Sequence, residues 1–238
     1  MHKILGLFVL IGVVCAGDIF QTLPAIPNFD DVANVEGAIK DKCVQHGGDK
    51  AFKNLKAVAV ELQSYVMQNY EFGTIKKELE EARKTGSMDE VFKKYCDKRP
   101  ELLTYTHKVN SAVENCLADS EKPVLKTAIN ITESLLDFIC EKDGDRLAMF
   151  IAEDGFKCLS AKQDSVQKCG ADTITKNVPA NLNTIPKLTE VTKEQCNEYQ
   201  TVRKCIVTVL EECENKTPAN IMDAFLKTIY KLSPCKTL

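Results

Sequence analysis

The 238-residue sequence contains no tryptophan, and only 7% of it is aromatic. Stacking platforms for bases or sugars are built from aromatic faces, so this mode of recognition is not expected. Histidine is almost as scarce: His2, His46 and His107 are the only three. No Gly-x-Ser-x-Gly elbow and no His-Glu-x-x-His pair occurs. A C-x-x-C knuckle for zinc is missing too, and Gly47-Gly48 is a lone doublet rather than a phosphate cradle. Basic runs are absent, and the formal net charge is −3. That balance argues against a nucleic-acid partner and against an anionic membrane surface. After residue 17 no apolar stretch approaches the ~20 residues that cross a bilayer. No catalytic residue, cofactor site or metal site is expected.

What is present begins with an address. Met1-His2-Lys3 is a short basic start, Ile4 to Val14 is apolar, and Cys15-Ala16-Gly17 supplies small residues for cleavage. Residues 1–17 are therefore read as a signal peptide, and residues 18–238 as a single secreted, soluble domain. Beyond the signal stand ten cysteines: Cys43, Cys96, Cys116, Cys140, Cys158, Cys169, Cys196, Cys205, Cys213 and Cys235. An even count in an exported chain predicts up to five disulfides, with the pairing open. A chain of about 220 residues buries roughly 70–75% of its unfolded surface. The cross-links are thus expected to harden a foldable core rather than replace one.

Helical periodicity dominates. Phe52, Leu55, Val58, Leu62 and Val66 fall at three- and four-residue steps. Lys76 to Lys84 reads as a charged helix with Glu80 four residues before Lys84. Thr85-Gly86-Ser87 ends it, and Ser87 with Glu90 has the spacing of a capping box for the next helix. Pro100 opens another, running to about Leu117. Lys122 to Cys140 is clearly amphipathic: Leu125, Ala128, Ile129, Leu135, Leu136 and Ile139 on one side, Lys126, Asn130, Glu133, Ser134 and Asp137 on the other. Phe156 to Lys168 and Thr192 to Glu212 follow, and Thr217-Pro218 caps and starts the last helix. The stretch 170–188, with Pro179 and Pro186, reads as a connector. The fold class is all-α, a disulfide-cross-linked multi-helix bundle of eight or more helices without a substantial sheet. Cys196, Cys205 and Cys213 lie about 12–13.5 Å apart along one helix, too far to pair with each other, so bridges must join different helices.

Two acceptor sequences for N-glycosylation stand out: Asn130-Ile131-Thr132 on a polar helix face, and Asn215-Lys216-Thr217 in a turn, where Pro218 hinders transfer. Glu141, Asp143 and Asp145 lack the twelve-residue ligand spread of a calcium loop. They read as a helix stop at Gly144 with Asp145 capping the next helix. His46 sits at a helix end and His107 within a helix. Neither marks an active site.

Val91-Phe92-Lys93-Lys94-Tyr95-Cys96, then Lys142-Asp143-Gly144-Asp145 continuing through Phe150-Ile151-Ala152-Glu153 to Cys158, and finally Thr217-Pro218-Ala219-Asn220 leading to Ser233-Pro234-Cys235 occur in this order. With them the chain resembles the insect 27 kDa haemolymph glycoprotein family from about Phe52 to Cys235. The resemblance implies a secreted, cysteine-rich glycoprotein of insect blood. It supplies no catalytic residues. It also implies that two further cysteines of relatives, near Ser64 and Tyr105, are missing here together, leaving the Phe52 and Pro100 helices less firmly tied. The expected function is that of a secreted, non-enzymatic haemolymph-type glycoprotein carrying a small apolar ligand between its helices. The alternative is an extracellular protein-interaction or immune/regulatory factor with no small-molecule ligand. The oligomeric state is left open.

Overall fold

The computed structural model describes residues 29–177 and 191–238, and side-chain surroundings for residues 36–71, 73–170 and 191–238. The segment read as a signal peptide, residues 1–17, lies outside the described residues. Among those described, the chain is helical throughout and has no strand. The helices are α1 (Phe29–Asn69), α2 (Phe72–Thr85), α3 (Met88–Cys96), α4 (Arg99–Glu114), α5 (Lys122–Cys140), α6 (Asp145–Ala152), α7 (Gly155–Ala161), α8 (Gln163–Asn177), α9 (Lys193–Leu210) and α10 (Thr217–Leu232). Short 3-10 turns at Asp119–Glu121 and Pro234–Lys236 precede α5 and follow α10. No helix among the described residues is long and apolar enough to cross a membrane.

Local chemistry sets the boundaries, not always as predicted. Within α1, Gly48 adopts φ 72°, ψ 178°, a backbone that breaks the helix and that side-chain-bearing residues avoid. The predicted helix end at Gly47-Gly48 is therefore an internal kink. Ser87 does not form the expected capping box; its hydroxyl lies 2.8 Å from that of Thr85 and makes no cap bond. The capping box forms instead between Thr192 and Gln195, each side chain meeting the other's backbone N–H. Lys84 pairs with Glu81 at 2.7 Å rather than with Glu80, which faces Lys76 at 3.9 Å. Thr217 is the first residue of α10 rather than its cap, and its N–H donates to Asn215 Oδ1 (2.8 Å). Asp145 likewise is the first residue of α6 and makes no cap bond. The Phe156 to Lys168 helix is divided at Lys162 into α7 and α8, and α8 runs on to Asn177 into the stretch read as a connector. Extending an existing helix adds a hydrogen bond for each residue fixed, which outweighs the modest propensities of its threonines. The rest of the connector, 178–188, lies outside the described residues.

The apolar interior is divided into small clusters. Cys43, Ala51 and Cys116 pack with Ile39, Phe52 and Leu55. Ala82, Met88, Phe92 and Ala148 join α2, α3 and α6. Cys158, Leu210 and Ala219 join α7, α9 and α10. Leu117, Val124, Leu125 and Ala128 meet Val191, Cys196 and Cys235. Three of these four clusters contain cystine sulfur, so the cross-links belong to the core itself.

The ten cysteines pair as Cys43–Cys116, Cys96–Cys140, Cys158–Cys213, Cys169–Cys205 and Cys196–Cys235. Each bridge joins distinct elements, as the helical rise requires. Two bridges close residues 43–140 and three close residues 158–235, and none crosses between these blocks. The blocks meet through the Leu117–Val191 cluster and through α10, which packs on α5 and α6.

Beside the first bridge, Lys42 Nζ contacts Glu121 Oε1 at 2.6 Å with both side chains almost fully covered. Glu121 Oε2 also accepts from the Ala118 N–H (3.0 Å). At the far end of the α1–α4 interface, Tyr65 stacks on Tyr105 with centroids 4.6 Å apart, and its hydroxyl donates to the Lys98 carbonyl (3.2 Å). Burial, then the neighbouring Tyr70, pushes the Tyr65 phenol up to about 12. An aromatic stack thus stands next to Ser64, at Tyr105, where the resemblance implied a lost tie.

Candidate functional site

The site begins with how α5 ends. Cys140, its last residue, is bridged to Cys96 at the end of α3, with Cα atoms 5.6 Å apart. Lys142 and Asp143 then take left-handed backbone angles (φ 52° and 57°), followed by Gly144 at φ 82°. A Cβ on Gly144 would lie 2.4 Å from that of Phe92, so close packing and backbone both demand glycine. This reversal launches α6 and brings Arg146 back over α5. Its Nη1 donates to the Phe138 carbonyl (3.2 Å), its guanidinium lies 4.2 Å from the Phe138 ring centroid, and it pairs with Glu141. Phe138 also meets Phe225 of α10, with centroids 5.8 Å apart and ring planes at 66°.

Between these helices opens a groove of about 770 Å³. Ser134, Asp137, Phe138 and Glu141 line one wall and Ala224, Lys227, Thr228 and Lys231 the other. Both sets follow the same 3-4-7 spacing, one face of each helix. The lining combines apolar Phe138, Cys140 and Ala224 with four cations, Arg99, Arg146, Lys227 and Lys231. Arg99, the first residue of α4, reaches Asp137 at 2.6 Å, and its Nε is buried without an acceptor. Lys227 pairs with Asp223 (2.6 Å), whose other oxygen faces Arg203 (2.7 Å). Burial works to raise the Asp223 carboxyl, but hydrogen bonds from Lys227 and Arg203 outweigh it and hold the group below its usual range. Lys231 has no carboxylate partner among the described residues.

A second opening of about 460 Å³ lies between the α1 kink and the α4–α5 turn and is lined by polar residues including His46, Lys50 and Asp119. His107 Nε2 lies 2.6 Å from Glu133 Oε1 on an exposed surface, and neither residue lines either opening. Among the described residues no group of three histidines, cysteines or carboxylates is placed to hold a metal.

The two glycosylation candidates are placed very differently. Asn130 is exposed on the outer face of α5. Asn215 is half-buried and occupied on both atoms: Nδ2 donates to Glu153, and Oδ1 accepts from Thr217. Sequence reading placed Ser134 and Asp137 on the polar face of α5 but missed Arg99, Arg146, Lys227 and Lys231. The matched 3-4-7 spacing of α5 and α10 was the available signal.

The fold and groove define a cystine-braced helical protein with an open groove lined by four cations. Residues 30–235 match a family model described as "Protein of unknown function (DUF1397)", and the chain belongs to that family. It is 33% identical to the "27 kDa hemolymph protein" of Galleria mellonella, over 95% of this chain and 94% of that one. It is 32% identical to the "27 kDa glycoprotein" of Bombyx mori, over 87% and 90%. With the "27 kDa hemolymph glycoprotein" of Manduca sexta the identity is 39%, over 68% and 67%. No solved structure matches.

Proposed function

We propose that this chain is a secreted, non-enzymatic glycoprotein of the haemolymph type that carries a small ligand with an apolar body in the groove between α5, α6 and α10. A groove lining that joins apolar Phe138 and Ala224 to the cations Arg99, Arg146, Lys227 and Lys231 carries this reading. Five disulfides suit an oxidising extracellular fluid, and the names of the relatives point the same way. No histidine or free thiol lines the groove, and its two carboxylates are each engaged by an arginine, which supports binding rather than catalysis. Exposed Asn130 is the favoured glycan site. Asn215 would have to surrender its contact with Glu153 to be modified.

Native mass spectrometry of protein from its natural fluid tests this reading. Retained non-covalent mass beyond the glycan is expected, and a bare glycoprotein would contradict it. The protein-interaction alternative draws on Phe156, which stands 59% exposed, and on Val60 and Met67, exposed one above the other on α1.

A further inference from the structure

We infer that the groove selects an anionic amphiphile, its acidic head among the basic side chains of the rim and its chain along Phe138 and Ala224. This rests on the ligand-carrying reading above and specifies the chemistry of the ligand. The chain carries a net charge of −3, yet the groove lining holds Arg99, Arg146, Lys227 and Lys231 against only Asp137 and Glu141. A local excess of two positive charges on an acidic protein is a selective feature, because an anion meets repulsion over the average surface and attraction here.

The cations have distinct duties. Arg146 sits on the carbonyl end of α5, where the helix dipole is negative and would repel an anion. Its bond to the Phe138 carbonyl and its pairing with Glu141 offset that field. Arg99 is tied to Asp137 but keeps one donor, Nε, without an acceptor. Satisfying it with a ligand oxygen on a small turn of the side chain removes the cost of an unpaired buried donor. Lys227 shares Asp223 with Arg203, and Lys231, one turn further along α10, has no carboxylate partner among the described residues. Lys231 is thus the cation with most to gain from an incoming acid. The apolar part of the ligand has the Phe138 ring, held between Arg146 and Phe225, as its main contact.

The acid could be a carboxylate or a phosphate, since both accept charge-assisted hydrogen bonds from arginine and lysine. The groove also lies where the two disulfide-closed blocks meet, with Arg99 and α5 in one and α10 in the other, so an occupant contacts both.

The test is titration calorimetry of the full glycosylated protein, stripped of endogenous ligand, with dodecanoate, dodecyl phosphate and dodecanol. At least one acid is expected to bind about tenfold tighter than the alcohol, an advantage that shrinks on raising salt from about 50 to about 500 mM. Whichever acid binds more tightly identifies the head group. Lys231→Glu should weaken acid binding about tenfold and leave alcohol binding unchanged. Lys231 is exposed and unpaired, so its circular dichroism and Tm should match the parent. Alcohol binding as tight as both acids, or acid binding indifferent to Lys231→Glu, would overturn the inference while leaving ligand carriage standing. Binding of none of the three would overturn both.

Discussion

Residues 43–140 and 158–235 are each closed by their own disulfides but reach stability by different routes. The first block has long helices, α1 and the 16-residue α4, and only two bridges. It is held along the α1–α4 interface by the Tyr65–Tyr105 stack at one end and by Cys43–Cys116 with the covered Lys42–Glu121 pair at the other. The second block has two helices of comparable length, the 18-residue α9 and the 16-residue α10, but also the seven-residue α7, too short to be stable alone, and uses three bridges. Three cysteines of that block lie in or just beyond α9, which therefore acts as a common post to which α7, α8 and the C-terminal turn are each fastened. Along the long α1–α4 interface, an aromatic stack and a covered ion pair share the load with the Cys43–Cys116 bridge. At the short α7, covalent closure of the unfolded chain adds to what its small packed area supplies.

That contrast can be broken most severely at Glu121. Glu121→Gln leaves Lys42 covered without a counter-charge and should destabilise the first block by about 3–5 kcal/mol, read as a shift of the urea midpoint. Parent-like stability would show that water reaches this pair. Removing a bridge of the second block with Cys158→Ser/Cys213→Ser should cost about 2–4 kcal/mol. In native-state hydrogen exchange the loss should concentrate in α7 and α9 and spare α4.

Smaller is the effect at the junction. Asp223→Asn should cost about 1–2 kcal/mol at neutral pH by freeing Arg203 and Lys227. Because the folded Asp223 carboxyl lies below its usual value of 3.8, its contribution is complete above that value. It disappears as pH falls through the lower folded value. The parent should therefore lose stability more steeply than Asp223→Asn below about pH 4. Smallest of all, Arg83→Ala removes a half-exposed pair with Asp154 (2.7 Å) and should leave Tm unchanged within error.

Much of the architecture was legible in the residues. Leu125, Ala128 and Ile129 predicted the inward face of α5, and they lie in the cluster shared by the two blocks. The 1.5 Å rise separated Cys196, Cys205 and Cys213, and each indeed pairs elsewhere. Terminal hydrogen bonding was less legible, because Ser87 had two partners within reach and chose Thr85. The groove was hidden for a different reason. Arg99, Arg146 and Lys231 stand on three helices, and the Cys96–Cys140 bridge, the Gly144 reversal and the packing of α10 on α5 and α6 bring them together. Helical periodicity reports which face turns inward, not which outward faces will stand opposite one another.

The partition into two covalently closed blocks is tested most directly by non-reducing peptide mapping of natively sourced protein by mass spectrometry. The expected peptides join Cys43 to Cys116, Cys96 to Cys140, Cys158 to Cys213, Cys169 to Cys205 and Cys196 to Cys235, with no free thiol among the ten. A peptide linking any cysteine of 43–140 to one of 158–235 would contradict it.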